Sequence, residues 1–346
     1  MSEPTVLFET RGAIGRITLN RPKALNALTL EQIRQIDPAL RRWAADPAIA
    51  AVVIDGAGDR AFCAGGDIRA LYDAAVAGDE AFLVDFYREE YTLNRLIKTY
   101  PKPYVALLDG ITMGGGVGLS VHGRHRVATE RITFAMPETG IGFFPDVGGT
   151  YFLPRCPGAV GTYLGLTGAR LKVADALYAG IATHVTPSDK LGDLLAALAD
   201  IPAGGDADGD VAAVLARFHQ DPGPAPLAAR REAIDRLFAG TTVTAIKAAL
   251  AADADPWAAE TLATLNTKSP TAVAATLEQL RRGKTLDFDD AMRLELTLGV
   301  HMALAPDFRE GVRAVIVDKD NAPQWQPEGP VAHWFEPGPV RLEFPA

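Results

Sequence analysis

Ala61-Phe62-Cys63-Ala64-Gly65-Gly66-Asp67-Ile68-Arg69 and Gly110-Ile111-Thr112-Met113-Gly114-Gly115-Gly116-Val117-Gly118 decide how this chain is read. Each stretch follows a predicted strand and leads toward a predicted helix. Glycine in such a turn permits positive φ and lets a ligand come close to the backbone. If the two turns face each other, one N–H from each converges on a single oxygen and forms an oxyanion hole. Helix N-terminal amides add a favourable field for the same negative charge. Taken singly, each turn reads equally well as a loop that carries glycine for steric reasons. The second matches neither G-x-G-x-x-G nor G-x-x-x-x-G-K-[ST], which disfavours a nucleotide-phosphate loop.

Working outward, Val6–Phe8 and Ile14–Leu19 flank Arg11-Gly12-Ala13 and predict an N-terminal hairpin. Leu30, Ile33, Ile36 and Leu40 recur at helical spacing after Thr29, which predicts an amphipathic helix with Thr29 as its N-cap. Ala50–Ile54 and Tyr104–Leu108 read as buried strands, and a long helix is expected from Glu80 to Lys98. Short strands follow at Arg126–Ala128 and Ile132–Ala135. The alternation of strands and helices indicates an α/β core over residues 1–200. Residues 202–210 and 221–226 are rich in Gly, Pro and Asp and read as exposed linkers. Residues 201–346 otherwise carry mostly helical patterns, with an irregular strap expected from Pro323 to Ala346.

The composition is that of an ordinary globular protein: 346 residues, 48% hydrophobic and 22% charged, so wholesale disorder is disfavoured. A net charge of −9 argues against a nucleic-acid partner held by a broad basic surface. Two cysteines, Cys63 and Cys156, with no C-x-x-C spacing favour neither a disulfide scaffold nor a metal site. No apolar run is long enough for a membrane span. The first residues lack the pattern of a signal peptide, and a soluble cytoplasmic protein is the expectation.

Arg21-Pro22 with Leu25-Asn26-Ala27, both glycine turns, Met136-Pro137-Glu138, Gly142-Phe143-Phe144-Pro145-Asp146 and Gly148-Gly149-Thr150 together resemble the crotonase (enoyl-CoA hydratase/isomerase) superfamily. Phe86-Tyr87-Arg88-Glu89-Glu90-Tyr91, Phe152-Leu153-Pro154-Arg155 and Glu310-Gly311-Val312-Arg313-Ala314 resemble its 3-hydroxyisobutyryl-CoA hydrolase branch. The resemblance covers nearly the whole chain and is weakest from about residue 188 to 265. It implies an α/β fold of the ClpP/crotonase type, a spiral of ββα repeats followed by a helical C-terminal region. It also implies that Gly66 and Gly115 donate to a thioester oxygen, and that Lys23, Ala24 and Leu25 line the coenzyme A path with Ala64, Asp67 and Ile68. Arg21, Lys23 and Arg69 are candidates for the phosphates. The implied partner is an acyl-CoA substrate; no separate cofactor, metal, nucleic acid or membrane is implied, and a homo-oligomer is left open.

Single positions separate the reactions of the superfamily. Hydratases of the family carry two glutamates, one just after the Gly-Gly-Gly turn, where this chain has Gly118, and one matching Glu138. Glycine cannot transfer a proton, so two-carboxylate hydration is disfavoured. The hydrolase branch instead has acids matching Glu90, Glu138 and Asp146. Glu138 is then either a general base toward water or a nucleophile that gives a mixed anhydride, Asp146 binds the substrate hydroxyl or orients the reacting group, and Glu90 contacts the acyl end. By residue type alone, Glu90 reads as a solvated helical glutamate, Asp146 equally as a turn or cap residue, and Glu138 as a cap. Cys63 has no evident histidine partner, Ser120 and His122 form no G-x-S-x-G elbow, and His184 reads as a packing residue. Hydration or isomerisation is the rival reaction, and a non-catalytic acyl-CoA-binding protein is the rival class.

Overall fold

A computed structural model describes residues 3–338 and 340–344. The chain forms two compact units, each assembled from three separate stretches. The first contains Met1–Gly66, Leu93–Phe134 and Leu171–Ala228; the second contains Asp67–Thr92, Ala135–Arg170 and Ala229–Ala346. Composition along the chain had pointed instead to a division at residue 200. Membership of a unit follows packing: Gln279 in the late helix Pro270–Gly283 donates to Pro145 O, which draws a mid-chain segment into the second unit.

In the first unit the strands are β1 (Val6–Arg11), β2 (Ile14–Leu19), β3 (Ala51–Gly56), β4 (Ala61–Cys63), β5 (Tyr104–Leu108), β6 (Ile111–Met113), β7 (His125–Ala128), β8 (Thr133–Ala135, its last residue falling past the unit boundary) and β9 (His184–Val185). They form a six-stranded sheet, β1-β2-β3-β5-β7-β9, and a three-stranded sheet, β4-β6-β8. The pairs β3–β4, β5–β6 and β7–β8 each put one strand in each sheet before the chain moves on, which is the ββα spiral expected from the resemblance. β1 and β2 are the antiparallel hairpin, and from β2 onward the large sheet is parallel. All five residues of β5 and the first five of β3 are buried, as continuous apolar strands covered on both faces require.

One covering is built from sequence that reads as linker. Helix Leu191–Ala199 and helix Ala207–Phe218 bury Leu194, Leu198, Val211 and Leu215 against Val53, Val105, Leu107 and Val127. Residues 202–210 are therefore only in part a linker. The Asp206 side chain accepts the Gly209 N–H and starts the second helix at Ala207, because its apolar face has a core to enter. The Thr29 cap is a full capping box with Gln32, and the helix Leu30–Ala45 follows it. Helix Glu80–Lys98 has the bounds expected from sequence and contains the unit boundary at Thr92. The C-terminal strap is irregular apart from a short turn at Ala332–Phe335; Pro339 and residues 345–346 lie outside the described residues. Among the described residues no helix is long and apolar enough to cross a membrane.

Asn26 fastens the first glycine turn to the sheet. Its backbone is left-handed at φ 56°, and its side chain is fully buried. Nδ2 donates to Ala57 O at 3.0 Å and Ala61 O at 2.9 Å, while Oδ1 accepts the Arg21 N–H at 2.9 Å. Alanine removes the Asn26 bonds to three backbone groups, that of Ala61 buried and those of Arg21 and Ala57 part-buried, and leaves a non-glycine residue in the left-handed region. Asn26→Ala is expected to destabilise the protein by about 2–4 kcal/mol in urea unfolding; a loss below about 1 kcal/mol means that water or a shift of the turn replaces these bonds.

Candidate active site

The two glycine turns meet within the first unit. Parallel pairing of β4 with β6 sets Cys63 opposite Thr112 and carries both turns off the same end of the small sheet. A Cβ on Gly65, whose φ is 124°, would lie 3.7 Å from Met113 O and 3.9 Å from Gly114 Cα. Gly116 packs so tightly on Cys63 that any side chain there would collide with the Cys63 carbonyl. Glycine is therefore required by close approach of two backbones, and Cys63 is a small buried residue.

The same turn is pinned from behind: Ala64 N–H donates to Leu25 O at 3.0 Å and Leu28 N–H to Gly65 O at 2.8 Å. Gly115 opens the helical turn Gly115–Gly118, whose bonds begin at Val117 N–H and Gly118 N–H, both to Gly114 O. Among the described residues neither the Gly66 nor the Gly115 N–H donates to a protein acceptor. Two unspent amides on adjoining turns, one at a helix start, are the arrangement that stabilises an oxyanion. Gly118 is buried in that helical turn, with no side chain to move a proton. Ser120 Oγ donates to Gly116 O at 2.8 Å and acts as a turn residue. His184 packs its ring between His125 and His219, with centroids 5.9 Å away in each case.

Of the residues expected along the coenzyme A path, Lys23 and Ala24 are exposed on the turn Pro22–Ala24, and Leu25 follows with φ 52°. Ala64 is joined to Leu25 by the bond above. Asp67 and Ile68 fall in the second unit, where Asp67 caps the helix Ile68–Ala77 through the Ala70 N–H. Two of the three phosphate candidates are engaged: Arg21 Nη1 donates to Ala27 O at 2.6 Å, and Arg69 Nε contacts both Asp73 oxygens at 3.0 Å.

The acids Glu90, Glu138 and Asp146 are all in the second unit, and all are buried, at 2%, 7% and 6% exposure. Burial decides against the solvated reading of Glu90. Tyr91, one residue on, donates its hydroxyl to Asp146 Oδ2 at 3.0 Å. Glu90 Oε1 and Glu138 Oε2 are buried with no hydrogen-bond partner. The surroundings are aromatic: Tyr87 stacks on Phe143 at 5.5 Å, and Phe143 also meets Phe144 at 4.6 Å and Phe308 at 5.5 Å.

Desolvation in this setting raises every acid. Glu138 is held well above the ordinary carboxylate range by burial first and by the Asp146 charge second. Glu90 is raised by burial, then by Asp146 and Glu295. Burial pushes Asp146 up to about 7, against the pull of the Tyr91 hydrogen bond. A carboxyl that titrates near neutrality can both give and take a proton, the property general acid–base chemistry needs. Among the described residues no group of three His, Cys, Asp or Glu is placed to hold a metal ion.

Sequence reading missed Glu295 as a site residue. It is fully buried on the helix Phe288–Ala303, and its two oxygens accept the Gly148 N–H at 2.7 Å and the Thr150 N–H at 2.8 Å. The available signal was an acid on the apolar face that Met292, Leu296, Gly299 and Met302 define. Tyr91 was inside a quoted motif, but nothing in its spacing showed that it would reach 55 residues along the chain.

The enoyl-CoA hydratase/isomerase pattern matches residues 14–331. The chain belongs to the enoyl-CoA hydratase/isomerase family. It is 50% identical over 327 residues to the mitochondrial 3-hydroxyisobutyryl-CoA hydrolase of Danio rerio, covering 93% of this chain and 85% of that one. The Homo sapiens protein of the same name is 47% identical over 331 residues, covering 93% and 84%. The crystal structure of an enoyl-CoA hydratase from Rhodobacter sphaeroides 2.4.1 superposes with a TM-score of 0.90 at 46% identity, over 99% of this chain and all (100%) of that one. The fold expected from the resemblance is thus the fold found. The cytoplasmic location expected from the first residues is corrected: the curated relatives, from Danio rerio to Homo sapiens, are named mitochondrial. Hydropathy separates soluble from membrane-spanning chains, and it carries no address of compartment.

Two outcomes test the electrostatics of this family member. Tyr91→Phe removes the hydrogen bond that pulls Asp146 down, so Asp146 is expected to titrate at higher pH in carboxyl ¹³C NMR; an unmoved titration shows that the bond does not favour the ionised form. Asp146 has a folded pKa above its ordinary 3.8, so its favourable contribution is complete below about pH 4 and is lost as pH rises through about 7. Asp146→Asn lacks that loss and is expected to gain stability relative to wild type between about pH 4 and about pH 7 in urea midpoints. A gap between the two proteins that stays constant with pH contradicts the raised value.

Proposed function

We propose that this chain hydrolyses a 3-hydroxyacyl-CoA thioester, with 3-hydroxyisobutyryl-CoA as substrate and a place in valine breakdown. The observation that carries the reading is the buried set Glu90, Glu138 and Asp146, combined with a bare Gly118 where a hydratase would need a second glutamate. The names of the curated relatives support it.

In this reading the Gly66 and Gly115 N–H groups bind the thioester oxygen as it takes on negative charge; removing one such donor costs about 3–4 kcal/mol of transition-state stabilisation. Glu138 takes a proton from water, which adds to the carbonyl carbon, or attacks that carbon itself to give a mixed anhydride that water then cleaves, regenerating Glu138 and supplying the proton. Either route breaks the carbon–sulfur bond, and the thiolate leaves with one proton as free coenzyme A. A base held above the ordinary carboxylate range suits this task, because it is a stronger proton acceptor than an ordinary carboxylate. Asp146 and Glu90 accept from the 3-hydroxyl end of the acyl group. The chemistry needs only water and a polarised carbonyl, and coenzyme A enters as part of the substrate.

Hydration is the second reading, and the crystal structure titled as an enoyl-CoA hydratase favours it. Thiol release separates the two. Purified protein is expected to release free thiol from 3-hydroxyisobutyryl-CoA; water addition to crotonyl-CoA without thiol release overturns the proposal. Glu138→Gln is expected to lower kcat by about 10²–10⁴-fold with KM little changed. A single turnover in ¹⁸O water tests the role of Glu138: label entering its carboxyl means attack through a mixed anhydride and excludes pure base catalysis.

A further inference from the structure

We infer that Glu295 is a positioning residue for Asp146, holding the turn that carries it by two backbone N–H groups; this rests on the hydrolase reading above. The turn Pro145-Asp146-Val147-Gly148-Gly149-Thr150 does not hold this shape by its own preference. Val147 has φ 49° and Gly148 φ 90°, both left-handed, and a β-branched residue is disfavoured there. Such a backbone persists only where its surroundings over-determine it.

Glu295 supplies one part of that determination. One oxygen takes the Gly148 N–H at 2.7 Å and the other the Thr150 N–H at 2.8 Å, so the carboxyl spans the start of the helical turn Gly149–Phe152. Gln279 adds a second grip, with Nε2 donating to Pro145 O at 2.7 Å and Thr150 Oγ1 at 2.8 Å. Both grips are fully buried. Asp146 sits between the gripped residues, two positions before Gly148, with its own carboxyl fixed by Tyr91. A shift of the turn therefore moves Asp146 relative to Glu138 and Glu90.

Glu295 also faces Asp146 electrostatically. Its carboxyl is pushed up to about 8 by burial, against the two backbone bonds, and the Asp146 charge raises it further. The other titratable groups that face this pair are Glu90, Tyr87 and Tyr91 from the helix Glu80–Lys98, and Glu138, and the pair's charge raises them. Asp146 titrates at about 7 and Glu295 at about 8, so the Asp146 charge helps to hold the Glu295 proton in place.

The test uses the full chain. Glu295→Gln keeps the shape but turns an amide toward one N–H, which removes one of the two bonds. It is expected to lower kcat by about 10- to 100-fold with KM within about threefold. A shifted turn loosens the Tyr91–Asp146 bond, so the ¹³C titration of Asp146 is expected to move to higher pH. Glu295→Asp falls short of spanning both N–H groups, so it is expected to shift kcat and the titration in the same directions. A merely structural cap predicts a lower melting temperature with kcat and the Asp146 titration unchanged below it, and that result overturns the inference. If Glu295→Gln does not fold, Glu295→Asp decides: unchanged kcat overturns the inference, and reduced kcat with the Asp146 titration moved to higher pH supports it. Absence of thiol release by wild type sinks the hydrolase reading alone, because the Asp146 titration needs no substrate and still decides the role of Glu295.

Discussion

Four carboxyl groups taken out of water together are the constraint on which the second unit is built. Glu90, Glu138, Asp146 and Glu295 are all buried, and burial is the largest influence on each. A lone buried carboxylate is so unfavourable that it protonates or finds a donor. Here the donors are chosen to be neutral: a tyrosine hydroxyl for Asp146 and two backbone N–H groups for Glu295. An arginine in their place would form an ion pair and hold the acids ionised far below neutrality. Neutral donors leave them able to exchange protons with a substrate, at a cost that the surrounding aromatic packing has to offset.

The first unit solves a different problem, that of exposing backbone amides without losing the fold. Amides that donate to nothing are unfavourable when buried, so the chain places them on turns and secures every neighbouring group. Asn26 ties three segments together, the Leu28–Gly65 and Ala64–Leu25 bonds fix the first turn, and the helical turn Gly115–Gly118 fixes the second. The spiral serves this directly, since consecutive strands that alternate between two sheets bring β4 and β6 side by side although 47 residues separate Cys63 from Gly110. The glycines are where they are because two backbones meet there.

Much of this was legible beforehand. The hairpin, the Thr29 cap and the helix Glu80–Lys98 follow from local periodicity and capping, which depend on neighbours within a few residues. The glycine turns and the acids Glu138 and Asp146 could be named because motif spacing is a local property too. What spacing could not supply was burial. Glu90 beside Glu89 has the look of a solvated helical acid, and its 2% exposure depends on what the rest of the chain lays over it. Residues 202–210 looked like a linker for the same reason: the apolar face of Val211, Val214 and Leu215 becomes a helix only when a sheet receives it.

The two turns and the three acids were thus determined by the sequence alone, as residue types at spacings that local chemistry can interpret. Tertiary structure decided what state they are in. It pressed Gly65 against Gly114, raised the acids by removing water, and brought Tyr91 to Asp146 and Glu295 to the Gly148–Thr150 turn across 55 and more than 140 residues of chain. No pattern of neighbours encodes such contacts, because the free energy of a buried carboxyl is set by everything that replaces its water.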